Sequence, residues 1–244
     1  MIKINNLTKK YKDKLAVDNL NLEIKTGELF SLLGTNGAGK TTTIKMLSTL
    51  ILPTSGEVEI NNLDLVKDSS KIKEIINISP QEIAVASNLT VLENLYFMAG
   101  IYQIPNKEDK IKELIKLFKL EEVLKQKAKT LSGGYQRKLS IAISLINNPK
   151  ILFLDEPTLG LDVISRHDLW KVIKALKGKT TIILTTHYME EAEVLSDRIG
   201  IMNKGKLIEL GTSKELIKKA NTKNFEDAFI KIIEEDNNEN TNIC

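Results

Sequence analysis

The chain has 244 residues, enough for one large domain or for a core with an inserted subdomain, and its 42% hydrophobic and 27% charged residues are the balance of an ordinary globule. The formal charge is only +3 and the lysines are scattered, so no stripe for nucleic acid stands out and no nucleic-acid partner is expected. The single cysteine, Cys244, is the last residue and leaves neither an intrachain disulfide nor a cysteine metal cluster; no apolar run approaches the ~20 residues of a membrane span, so any membrane role is expected to come through a partner.

Met1 to Lys10 is polar at short intervals and lacks the apolar core of a signal peptide. Met1 to Leu7 and Leu15 to Ile24 alternate apolar and polar residues, the pattern of half-exposed strands. Between them Tyr11, flanked by two lysines, reads locally either as an edge tyrosine or as a flat face on which a base stacks. Thr26-Gly27-Glu28 then turns the chain into an apolar run of Leu29, Phe30, Leu32 and Leu33, which leads into Gly34-Thr35-Asn36-Gly37-Ala38-Gly39-Lys40-Thr41 and a helical pattern from about Thr42.

Strand, glycine loop and helix in that order are the setting of a P-loop. The glycines let the backbone turn tightly, so that several N–H groups face one concavity at a helix N-terminus, where the dipole also favours an anion. Lys40 can reach the β- and γ-phosphates of a nucleotide as a point charge. The Thr41 hydroxyl can ligate Mg²⁺, a hard cation that prefers oxygen.

The P-loop helix is expected to end before Pro53, with a turn and strand over Thr54 to Glu59 and a further segment, Asn77 to Ser79, leading through Pro80 to Gln81. From Leu89 the chain turns helical: Thr90 and Glu93 make a capping box, and helical stretches continue through Met98, Ile111 to Phe118 and Glu121 to Lys125. Leu131-Ser132-Gly133-Gly134-Tyr135-Gln136 closes this insertion, before a helix whose Leu139, Ala142, Ile143 and Ile146 keep the i, i+3, i+4, i+7 spacing. Ser132 there is either a plain N-cap or part of a second anion site.

Ile151 to Leu154 is a short unbroken apolar run of the kind buried in a parallel sheet, and it ends in Asp155-Glu156. That edge is where open α/β sheets bind ligands, and P-loop enzymes hold Mg²⁺ there with an acid. Successive residues on an extended chain point apart, so one carboxylate is free for metal and the other for a water, a helix-capping pair being the alternative. Thr180 to Thr185 is a second such run, ending in Thr186-His187 at the same edge; a hydrogen-bonded packing histidine is the competing reading. His167, near Trp170 on a polar helix face, is read as a packing residue. Arg198 to Met202 and Lys206 to Leu210 form a hairpin around Asn203-Lys204-Gly205, followed by a helix capped by Thr212 and Glu215. Phe225, Ala228, Phe229 and Ile232 make an apolar face that docks on the domain, while acidic, Asn-rich Glu234 to Asn242 is expected to fray.

These ordered motifs, over roughly residues 1 to 217, resemble the nucleotide-binding subunit of an ATP-binding cassette (ABC) transporter. By that resemblance Gly34 to Thr42 is the Walker A motif, Gln81 the Q-loop, Leu131 to Gln136 the signature, Ile151 to Asp155 the Walker B motif, Glu156 the catalytic glutamate, Leu161-Asp162 the D-loop and His187 the switch histidine. Tyr11 matches the aromatic that stacks on adenine. The implied fold is α/β: a P-loop NTPase core with a mainly parallel sheet, an N-terminal antiparallel β subdomain and a helical subdomain inserted over about 83–147, with 218–244 as a C-terminal helix and tail. Implied roles are Tyr11 and residues 34–42 on ATP, Thr41, Gln81 and Asp155 around Mg²⁺, and Lys40, Gln81, Glu156 and His187 in hydrolysis.

In that family Ser132, Gly133, Gly134 and Gln136 act from the opposite subunit of a head-to-tail pair. The implied partners are a second copy, or a homologous ATPase subunit, and an integral membrane permease, on the cytoplasmic face of the cell membrane. His187-Tyr188-Met189-Glu190-Glu191-Ala192-Glu193, Gly160-Leu161-Asp162 and Phe225 to Phe229 resemble the branch serving drug-resistance and sodium-export systems, although Thr35 stands where proline is common and Tyr135-Gln136 is closer to the general signature. Two other classes compete: a cassette ATPase acting on ribosomes or DNA, which calls for tandem cassettes or a long coiled-coil insertion that this chain lacks, and a P-loop phosphotransferase, for which the Leu131 to Gly134 stretch and His187 would be coincidences.

Overall fold

A computed structural model describes residues 1–241. In chain order the elements are β1 (Ile2–Tyr11), β2 (Lys14–Ile24), β3 (Leu29–Gly34), α1 (Lys40–Leu47), β4 (Ser55–Ile60), β5 (Leu63–Asp64), α2 (Ser69–Ile75), β6 (Ile76–Ser79), α3 (Val91–Ile101) and α4 (Lys107–Phe118). There follow α5 (Gly133–Ser144), β7 (Ile151–Asp155), α6 (Val163–Leu176), β8 (Thr181–Thr186), α7 (Met189–Leu195), β9 (Arg198–Asn203), β10 (Lys206–Gly211), α8 (Ser213–Ala220) and α9 (Phe225–Thr241).

Two sheets result. The alternating N-terminal segments pair antiparallel in the order β2-β1-β4-β5. The unbroken apolar runs build a six-stranded sheet, β10-β9-β3-β8-β7-β6, parallel except for the β9–β10 hairpin at its edge. Strands β3, β7 and β8 are buried along their whole length, as central strands covered on both faces must be.

The two-residue period of those strands divides the core. Leu152, Leu154, Ile182 and Leu184 face a cluster with α3 to α6, while Ile151, Phe153 and Ile183 face the antiparallel sheet and α1. The expected capping boxes at Thr90/Glu93 and Thr212/Glu215 are present, and Ser132 is the N-cap of α5. Among the described residues, no helix is long and apolar enough to cross a membrane.

In the C-terminal segment Phe225, Ala228, Phe229 and Ile232 dock on the domain as expected, sharing one apolar cluster with Leu33, Ile199, Ile201 and Leu216, while the expected boundary at 217 falls inside α8. The stretch from Glu234 stays helical through Thr241 instead of fraying: the Asn203 amide donates to Asp236 Oδ2 at 2.7 Å and to Asn237 Oδ1 at 3.2 Å, which ties the helix back to β9. Asn242 and Cys244 lie outside the described residues.

Candidate active site at the carboxyl edge of the parallel sheet

Four adjacent parallel strands deliver their next residues to one edge: β3 the glycine loop, β8 His187, β7 Asp155 and Glu156, and β6 Gln81. The loop turns through Gly37 (φ 82°) and Gly39 (φ 103°) before α1 begins. At Gly39 a side chain is excluded twice over, since the backbone is left-handed and a Cβ would meet the Ala16 carbonyl oxygen at 2.5 Å.

Lys40 is buried and folded back over this loop, its Nζ donating to the Gly34 carbonyl at 2.7 Å and the Thr35 carbonyl at 3.1 Å. The same ammonium lies 3.6 Å from Glu156 Oε1. Burial pulls the Lys40 pKa below its ordinary value, with Glu156 and then Asp155 opposing that shift. The Thr41 hydroxyl donates to Asp155 Oδ1 at 3.0 Å, and the Thr185 hydroxyl donates to the same oxygen at 2.5 Å. Asp155 is therefore held from both sides by the neighbouring strand and the P-loop helix.

Glu156 does not continue the strand. Its φ of 46° is left-handed, and its N–H donates to Thr185. That turn, not strand alternation, separates the two carboxylates: Asp155 stays beside Thr41, while Glu156 reaches Lys40 and lies with Oε2 3.2 Å from His187 Nδ1, without hydrogen-bond geometry.

A cavity of about 440 Å³ opens over these groups. Its walls are Asn36, Gly37, Ala38, Gly39, Lys40, Thr41 and Thr42 from the loop and α1, with Gln81, Glu156 and His187 facing them and Lys14 and Ala16 at one side. Gly34, Thr35, Asn36 and His187 also line a smaller hollow of about 260 Å³ with Phe229 of α9. The acidic and hydroxyl oxygens at Asp155 and Thr41 are the hard donors that Mg²⁺ takes, and Thr41 and Gln81 line the same cavity. Among the described residues no group of three or more His, Cys, Asp or Glu could hold a metal without such help.

Other expected site residues stand apart. Tyr11 is exposed at the end of β1, off the cavity wall, although its strand partner Lys14 is on it. Ser132 and Gly133 are exposed at the N-terminus of α5, with the Ser132 Oγ accepting from the Tyr135 N–H at 3.4 Å, and Gln136 donates its amide to the Ala128 carbonyl. A Cβ on Gly134 would press against the Ser165 hydroxyl at 2.9 Å, so glycine lets α5 and α6 approach. Asp162 is exposed and caps α6 by accepting from the Ser165 N–H at 3.0 Å. None of these six lines the cavity of its own chain.

Several neighbours escaped the sequence reading. Tyr188 stacks at a tilt on His187, ring centroids 4.2 Å apart, and carries the Arg166 guanidinium 4.5 Å from its own ring centre. Glu191 is fully buried and accepts from the Trp170 indole N–H at 3.0 Å. Arg137 is buried too, and a signal for it existed: Arg137, Ser140, Ile141 and Ser144 form a second buried stripe of α5 at helical spacing. His167 is exposed and meets Trp170 edge-on, ring centroids 4.9 Å apart, away from the cavity lining.

The family model described as ABC transporter matches residues 17–159. The "Probable multidrug ABC transporter ATP-binding protein YbhF" of Escherichia coli is 39% identical over 99% of this chain, and the chain spans only 43% of that protein's length. The linearmycin resistance ATP-binding protein LnrL of Bacillus subtilis is 41% identical over 88% of this chain and 70% of its own. Among solved structures, the dimeric post-hydrolysis state of the cassette MJ0796 bound to ADP and Pi superposes with a TM-score of 0.78 at 31% identity, covering 87% of this chain and 98% of that one.

Proposed function

Because the chain belongs to the ABC transporter family, as one of its ATP-binding cassettes, we propose that it hydrolyses ATP in the cavity at the sheet edge. We further propose that closure of two cassettes over the nucleotide drives a separate membrane permease. The observation that carries this reading is the convergence of the P-loop, Lys40, Glu156 and His187 on one cavity of about 440 Å³.

The P-loop N–H groups and the α1 dipole bind the phosphates, and Tyr11, at the side where Lys14 enters the wall, stacks on the base. Thr41, Asp155 and Gln81 would hold Mg²⁺, which supplies charge neutralisation on the β- and γ-phosphate oxygens when bound. The carboxylate of Glu156 is the counter-ion of Lys40. An arriving γ-phosphate takes over that ammonium, and Glu156 is released to accept a proton from water. The water oxygen bonds to phosphorus as the bond from phosphorus to the β,γ-bridging oxygen breaks, leaving ADP and phosphate. His187, beside Glu156, donates to the γ-phosphate and is aimed by Tyr188.

Ser132, Gly133, Gly134 and Gln136 at the α5 N-terminus, and Asp162 at the start of α6, act on the site of the second cassette, a copy of this chain or a homologous ATPase subunit. The exposed Tyr96, Phe97 and Ile101 of α3, in the subdomain that follows Gln81, suit docking of an apolar permease segment at the cytoplasmic face of the membrane. Relatives named for multidrug transport and linearmycin resistance support export.

Two measurements test the reading. Purified protein is expected to release phosphate from Mg-ATP, and transfer to an acceptor instead of water would overturn it. Recovery of a multi-span protein with the chain from detergent-solubilised membranes supports the permease partner, whereas recovery of ribosomes points to the soluble class of cassette ATPase.

A further inference from the structure

Arg137 is 3% exposed, yet carries a permanent charge. Its Nη1 donates to the Pro80 carbonyl at 2.7 Å and its Nη2 to the Gln81 carbonyl at 2.5 Å. Burying a guanidinium is strongly unfavourable unless hydrogen bonds and nearby charge compensate it. Here the compensation comes from the backbone of one loop, with the field of Asp155 acting in the same direction.

The choice of acceptors is informative. Strand β6 ends at Ser79, so the carbonyls of Pro80 and Gln81 lie beyond the sheet ladder, and the fork of Arg137 takes the place of a strand partner. A second contact lies one turn along α5, where Ser140 Oγ and Ser79 Oγ are 3.3 Å apart. The end of β6 and the following loop are thus held by one stripe of α5. That helix begins at Ser132, five residues from Arg137, about 7.5 Å along a rigid rod. Gln81, which lines the P-loop cavity, and Ser132, exposed at the N-cap of α5, are joined through the Arg137 side chain and the first turns of the helix.

We propose that Arg137 is a positioning residue that clamps the Gln81 loop to the signature helix, so that a ligand moving Gln81 also moves Ser132. This rests on the reading that the cavity binds and hydrolyses ATP. A lysine keeps the charge but cannot bond two carbonyls in a fork, and a methionine keeps the bulk without either bond.

The test is a double-mutant cycle in the full chain, read as kcat and KM for Mg-ATP. Arg137→Met and Gln81→Ala should each lower kcat, by roughly the 10²-fold that a misplaced group can cost. The double variant should be no slower than Gln81→Ala alone, and Arg137→Lys should recover part of the loss. Multiplied single effects, or a slowed Arg137→Met beside a neutral Gln81→Ala, would overturn the proposal, because damage spread through the fold would not vanish when Gln81 is absent.

Hydrogen exchange over residues 131–144 gives a readout without turnover. Adding Mg²⁺ with a non-hydrolysable ATP analogue should change protection there in the wild type and not in Arg137→Met; if that variant does not fold, Arg137→Lys should show a smaller change than the wild type. An unchanged nucleotide response would also overturn the clamp. Absence of phosphate release by the wild type would count instead against the ATPase reading, and the exchange measurement would still decide for Arg137.

Discussion

Replacing Glu156 by glutamine separates chemistry from binding, because the two side chains have the same shape. Glu156 Oε1 lies 3.6 Å from Lys40 Nζ and its Oε2 3.2 Å from His187. The substitution removes the carboxylate charge, and with it the capacity to accept a proton from water. Losing a general base slows reactions by about 10²–10⁴-fold, which at 1.36 kcal/mol per decade is about 2.7–5.4 kcal/mol of barrier. Binding should change far less: Lys40 keeps its bonds to the Gly34 and Thr35 carbonyls, and in the ATP complex its charge belongs to the phosphate. The expected result is a single-turnover phosphate-release rate at least 10²-fold lower, with ATP affinity preserved and a slowly dissociating ATP-bound dimer on size exclusion. Turnover by Glu156→Gln within tenfold of the wild type would refute the assignment of Glu156 as base.

Substitutions at four further positions probe the surroundings. Gly39→Ala should lower stability by about 1–3 kcal/mol from left-handed backbone strain, with added loss from the Ala16 carbonyl, whereas Gly37→Ala, where no atom lies within 4 Å of a Cβ, meets the strain alone; thermal melts of the pair show the difference. Tyr11→Ala should weaken ATP binding by the ~1–3 kcal/mol of a base stack without changing kcat, and Tyr11→Trp should restore it; an unchanged KM in the alanine variant removes Tyr11 from the site. Glu191 is buried and its carboxyl pKa is raised by desolvation, so the folded state holds this proton more tightly than the unfolded chain. The sign follows: its contribution to stability is full below the unfolded carboxylate pKa and is lost as pH rises through the elevated folded value. Glu191→Gln should therefore raise the melting temperature, relative to wild type, more at pH 8 than at pH 4, and the opposite trend would show that Glu191 is stabilised as the anion.

What could be read in the sequence was what local chemistry decides. Glycines at Gly37 and Gly39, caps at Thr90, Ser132 and Thr212, and the doubly buried strands β3, β7 and β8 follow from a few consecutive residues each. The site's partnerships do not. Thr185 holds Asp155 from 30 positions away, Arg137 reaches the Gln81 loop across 56, and Phe229 lies beside the P-loop from the far end of the chain. No periodicity encodes such pairings. Strand alternation even misleads at Glu156, where a left-handed backbone ends the period. The C-terminal helix misleads in the same way: an acidic run of low helix support is fixed by Asn203, a residue on another element.

The P-loop cavity draws nothing from the α5 N-terminus or the start of α6, and both of those helix ends face solvent. Helix N-termini carry unsatisfied N–H groups and a positive dipole end, so the Ser132 end is ready for an anion that its own chain does not bring to it. Directly after Asp162 stand Val163 and Ile164, 66% and 77% exposed, a pair of apolar side chains that a lone cassette leaves in water. A second cassette facing the first would cover both features at once, bringing Ser132 to the other copy's phosphate and burying Val163 and Ile164 at the seam. Hydrolysis should therefore depend on association. Specific activity should fall on dilution, approaching proportionality to protein concentration when monomer dominates, and Ile164→Glu should lower it further while ATP binding to the monomer is unchanged. A specific activity that stays constant across a hundredfold dilution would mean that one chain completes the site alone, and would assign the exposed α5 terminus some other partner.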